Sequence, residues 1–176
     1  MAKCIINIID DTNKIVRRFF MAVRNIVKKG DEILNKRCKE VKEINDRILE
    51  LLDDMRDTLY STENGVGLAA PQIGVLKRIV VIDVGEGLLE LINPVIVETE
   101  GEQDVVEGCL SIPGVYGKVK RPARVVVEYT DRNGKRLRKE GKDLLAVCFC
   151  HEIDHLDGIL FDQKAYEFVD LENDQE

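Results

Sequence analysis

Between residues 44 and 59 the apolar positions Ile44, Ile48, Leu51, Leu52, Met55 and Leu59 recur at spacings of three, four and seven. That is the pattern of an amphipathic helix with one packed face. The helix is expected to end near "STENG" (61–65). The next stretch, "GVGLAAPQIG" (65–74), is too rich in glycine and too interrupted by Pro71 to read as regular structure. Two runs rich in β-branched residues follow, "RIVVIDV" (78–84) and "LELINPVIVE" (89–98), and they read as strands separated by "GEG". "ARVVVEYTDRNGKRLRKEG" (123–141) predicts a hairpin, with Asn133-Gly134 supplying residues that tolerate positive φ in a tight turn. "KDLLAVCFCHEIDHLDG" (142–158) predicts a second helix stopped by Gly158.

Composition narrows the class. The chain has 176 residues, 44% apolar and 34% charged, which suits one globular domain with room for a core. Trp is absent and aromatics make up 5%, so Ile, Val and Leu must build that core. The formal charge of −7 argues against nucleic-acid binding, which needs a basic surface. The densest basic stretch, "KVKRPAR" (118–124), reads as a solvated loop or strand edge. No membrane span is expected, because no run approaches the roughly eighteen apolar residues required. "MAKCIINIIDDTNKIVRRFF" lacks a sustained apolar region for secretion and makes a poor transit peptide. Residues 1–20 read as an extension and Met21, opening "MAVRNIV", as a second beginning; 21–169 then form a single domain and 170–176 a short acidic tail. The five cysteines show no disulfide framework, so reduced thiols in a cytosol are expected.

The only two histidines, His151 and His155, lie in H-E-x-x-H. On a helix they fall within roughly 40° of each other, one turn apart, so both imidazoles can grip one ion while Glu152 stands beside it. A catalytic site usually has three protein ligands and an open position. The extended protease pattern would put a third histidine at 161, where Phe161 stands. The candidates for a glutamate ligand from a further helix are Glu167 and Glu172, in a tail of 21 residues after His155 that is short for another packed helix. Cys148 shares the histidine face but lies about 10.5 Å from His155 along the axis, and Cys150 points about 140° away. Both therefore read as buried apolar residues. Cys109, in "VVEGCLSIPG", reads by itself as a core thiol; a thiolate from a neighbouring strand would nevertheless complete Cys, His, His. The whole predicts an α+β fold, with antiparallel or mixed sheets packed around a central helix that carries H-E-x-x-H.

Three motifs, "GVGLAAPQ" (65–72), "EGCLSIP" (107–113) and "HEIDHLDG" (151–158), resemble the signature motifs of the peptide deformylases in order and separation, over about Met21 to Ala165. The resemblance implies an enzyme of the bacterial-type cytoplasm that removes the formyl group from N-terminal formylmethionine of nascent polypeptides, releasing formate. It implies a divalent metal, iron in the cell with zinc, nickel or cobalt as substitutes, on Cys109, His151 and His155. Glu152 matches the general acid/base that serves metal-activated water. Gln72, by its amide, and Leu110, by its backbone N–H, match the oxyanion-hole positions. Val66, Gly67, Glu107, Leu144 and Val147 match substrate-binding positions: Gly67 pairs with substrate backbone, and Val66, Leu144 and Val147 wall the methionine pocket. Gly65 and Arg121 match supporting positions, Arg121 paired with Glu107. Some members dock on the ribosome through a long C-terminal helix; "LENDQE" here is short and acidic, so that route is not expected. The alternatives are an H-E-x-x-H endopeptidase and a noncatalytic zinc-binding module.

Overall fold

In the computed structural model, residues 7–9, 15–17 and 23–170 are described. Met21, most of the expected extension and the tail beyond Asp170 lie outside them. β1 (Asn7–Ile9) and β2 (Ile15–Arg17) pair antiparallel as a two-stranded sheet.

The expected first helix forms as α1 (Asp46–Tyr60), opened by Asn45, whose side chain accepts a hydrogen bond from the Ile48 N–H. A five-stranded antiparallel sheet holds β3 (Gly67–Ala69), β4 (Ile79–Ile82), β5 (Leu89–Glu100), β8 (Arg124–Thr130) and β9 (Arg136–Lys142), in that order. β4 is buried along its whole length because both faces are covered. Ile79 and Val81 pack with Leu52, Met55 and Leu59 of α1. Val80 and Ile82 pack with the second helix, α2 (Asp143–Leu156), through a cluster that includes Phe149, Ile153 and Leu156. This explains why "IVVI" reads as an unbroken apolar run rather than an alternation.

The second sheet is three-stranded and antiparallel, in the order β10 (Glu167–Val169), β7 (Ile112–Arg121), β6 (Gln103–Cys109). Beneath it Ile112 and Val119 meet Leu34, Leu160 and Phe161. α2 is buried nearly all round, as an apolar helix inside a fold must be. It ends where expected: Gly158 has a φ of 77°, and a Cβ there would lie 2.6 Å from the Asn35 carbonyl oxygen.

Three local expectations need correction. "GVGLAAPQIG" is regular after all, since Gly67–Ala69 pair with Val80–Ile82 and Ala70–Ile73 form a 3-10 turn. Pro71 is tolerated because the first turn of a helix leaves its N–H groups unpaired anyway. The expected hairpin forms from β8 and β9 with Gly134 at positive φ, but its connection is the five-residue loop Asp131–Lys135 and Asn133 does not take positive φ. The Asp131 carboxylate holds it, accepting from the Asn133 and Lys135 N–H groups. "KVKRPAR" belongs largely to β7, the middle strand of its sheet, and its cations are spent on acids: Lys118 on Glu167, Lys120 on Glu102 and Arg121 on Glu107.

Candidate metal centre and catalytic pocket

Cys109 closes β6 at an irregularity in the ladder, where Gly108 still faces Tyr116 but Cys109 already faces Ile112. Such a slip re-aims a side chain. Here it delivers the thiol to α2, 3.3 Å from His155 Nε2. His151 and His155 stand edge to face with ring centroids 5.0 Å apart. The ligand atoms of Cys109, His151 and His155 all lie within 4.8 Å of one another. Neither Cys148 nor Cys150 joins this group; burial pushes the Cys148 thiol up to about 12 and the Cys150 thiol up to about 11.

The donor set fits a cation. Burial opposes a charged His151 ring, yet hydrogen bonds to Cys109 and Glu107 outweigh it and raise the ring to about 10. Surroundings that hold a proton there also favour a metal ion. Burial, with the charge of His151, pushes His155 well below its usual range and leaves the neutral imidazole that ligates metals. Glu107 Oε2 lies 2.7 Å from His151 Nδ1, which turns Nε2 toward the site.

Glu107 was expected both to contact substrate and to pair with Arg121. The structure gives it the second place: it borders the pocket, but its carboxylate is taken by Arg121 Nε at 2.6 Å, Arg121 Nη2 at 3.1 Å and the His151 ring. Burial would raise this carboxyl, but His151 and Arg121 hold it down to about 2. Arg121 also donates to Asp154 at 2.7 Å, a link with no signal in the sequence. We expect Glu107→Gln to weaken metal binding by about tenfold to a hundredfold. The broken buried pair should also cost about 3 kcal/mol. Competitive metal titration and denaturant unfolding measure the two effects; a loss of stability with unchanged metal affinity would limit Glu107 to a structural role.

Glu152 is 5% exposed, and its Oε2 has no hydrogen-bond partner among the described residues. Burial raises its carboxyl to about 7. Gln72 is fully buried and does two things at once. Its Oε1 accepts from the Ala69 N–H at 2.8 Å, tying down its own turn. Its Nε2 points at the site, 3.5 Å from Cys109 Sγ and 3.3 Å from Ser111 Oγ. Leu110 follows Cys109 at the same rim, and its carbonyl oxygen accepts from Lys28 Nζ at 2.7 Å. The flanking chain straps both motifs: Val27 N–H donates to the Gln72 carbonyl and Lys29 N–H to the Ser111 carbonyl, each at 2.8 Å. Ser111, Asp154 and this strap were not legible beforehand, because their roles depend on contacts between distant segments.

A cavity of about 550 Å³ opens onto these groups. Val66, Leu144 and Val147 line it together with Gly65 and Gly67. Val66 and Leu144 are exposed while Val147 is buried, as expected of the lip and floor of an apolar pocket. Gly65 sits in a crowded place, where a Cβ would collide with Thr62 Oγ1 and press on the Leu59 and Leu110 side chains.

A cysteine sulfur and two imidazoles on an α+β scaffold, with a buried carboxyl group and an amide facing one apolar cavity, suit metal-assisted hydrolysis of a carbonyl substrate. The fold and site thus define a metallohydrolase. Residues 23–169 match the family model described as polypeptide deformylase. The peptide deformylase of Acetivibrio thermocellus is 67% identical over 150 residues, covering 85% of this chain and 88% of that protein. Crystal structures of peptide deformylases are similar as well. The one from Legionella pneumophila has TM-score 0.79 at 44% identity, covering 81% of this chain and 86% of that one. The one from Synechococcus elongatus, in complex with actinonin, has TM-score 0.78 at 42% identity, covering 81% and 80%. The chain belongs to the peptide deformylase family, metal-dependent hydrolases that take the formyl group from formylated new polypeptides. Among the described residues no helix is long and apolar enough to cross a membrane.

Proposed function

We propose that Cys109, His151 and His155 hold one divalent ion, iron in the cell, and that Glu152, Gln72 and Leu110 carry the deformylation of N-terminal formylmethionine. The observation behind this is the convergence of the three ligand atoms, the unpartnered Glu152 oxygen and the Gln72 amide on one apolar cavity. When bound, the ion supplies Lewis acidity toward the formyl oxygen and lowers the pKa of water beside it. Glu152, raised to about 7 by burial, takes the proton of the attacking water and hands it to the leaving amine. Gln72 Nε2 and the Leu110 N–H face the formyl oxygen as negative charge develops on it. Val66, Leu144 and Val147 exclude water from the methionine side chain, and Gly67 offers its backbone to the peptide.

We further propose that residues 21–169 form the complete catalytic unit, which the match over 23–169 supports, and that nascent formylated peptides in a bacterial-type cytoplasm are the partners. Metal analysis and turnover of protein prepared without oxygen, for the full chain and for a chain beginning at Met21, test both proposals. One iron per chain and equal turnover are expected in each. Zinc at full occupancy in the anaerobic protein would overturn the assignment of iron, and lost turnover on truncation the boundary.

A further inference from the structure

Gly67 opens β3 opposite Ile82 and has no positive φ, so its backbone does not demand glycine. Space does. A Cβ on Gly67 would stand 2.9 Å from both Cδ and Cγ of Glu152 and closer still to Oε1, and these are its three nearest atoms. Neither element can easily yield, because Ala69 of β3 packs in the same buried cluster as Phe149, Ile153 and Leu156 of α2. Relief must then come from the Glu152 side chain, whose Oε2 is held by no hydrogen bond among the described residues. The hydrogen that replaces Cβ points at Oε1, a contact of the weak C–H···O kind.

We propose that Gly67 is a positioning residue: its missing side chain makes the seat in which the Glu152 carboxylate is held against the cavity. This goes beyond pairing with substrate backbone and rests on the role proposed for Glu152. The two roles separate in kinetics, because lost backbone pairing raises KM whereas a displaced acid/base lowers kcat. In metal-loaded enzyme with a formyl-Met peptide, Gly67→Ala should lower kcat by about 10²-fold with metal content unchanged. KM should stay within about threefold.

A second measurement is independent of activity. In chelator-treated protein, Gly67→Ala should lower the thermal midpoint by several degrees when Glu152 is present and hardly at all in a Glu152→Ala background, where the colliding atoms are gone. If Gly67→Ala alone gives no folded protein, recovery by Glu152→Ala supports the proposal and failure to recover overturns it. An equal midpoint loss in both backgrounds, or a kcat that Gly67→Ala leaves intact, also overturns it. Turnover retained by Glu152→Ala alone would instead contradict the acid/base role, a result the unfolding comparison does not produce.

Discussion

Replacing Glu152 with Gln is expected to lower the turnover of a formyl-methionyl peptide by about 10² to 10⁴-fold, the usual worth of a positioned acid/base. One metal ion per chain should remain bound, because Glu152 is outside the group formed by Cys109, His151 and His155. The amide fills the same space beside Gly67 and keeps the fold, but it cannot accept the proton of water. Steady-state kinetics with metal analysis of the same sample checks this. Unchanged turnover would remove Glu152 from the acid/base role. Lost metal would make Glu152 a ligand.

Cys109→Ala should abolish tight metal binding, by more than the roughly hundredfold that loss of a supporting partner costs, and activity should go with it. Cys148→Ala should leave metal affinity unchanged. The physical difference lies in placement. Cys109 sits half-buried at the β6 slip with Sγ against His155 Nε2. Cys148 is buried with Val125, Val127 and Phe149, where burial keeps it a thiol by raising it to about 12. Equilibrium competition with a chromophoric chelator measures both variants. Metal lost from Cys148→Ala and kept by Cys109→Ala would invert the ligand assignment.

Much of this site was legible because it is local. His151, Glu152 and His155 lie within five positions of one helix, and helical geometry alone removes Cys148 and Cys150 as partners. The α1 face was likewise plain from periodicity, and the strand at β4 from its run of β-branched residues. What the chain did not reveal depends on register. β6 brings Glu107 to His151 and Cys109 to His155 by the way the strand lies against α2, and no spacing in the sequence encodes that approach or the slip after Gly108. Within "KVKRPAR" Arg121 reads as one cation of a solvated stretch; the family resemblance pairs it with Glu107, but its link to Asp154, 33 positions away, has no sequence signal. The resemblance gives Gly67 a place beside the substrate backbone, but the space that Glu152 fills next to it has no signal in the sequence.

The most direct measurement is formate release from a formyl-Met peptide by metal-loaded protein prepared without oxygen, run beside hydrolysis of an internal amide in an unformylated peptide. Formate should appear in step with free amino termini, and the internal amide should stay intact. Cleavage of the internal amide without formate release would contradict the assignment and point to an endopeptidase.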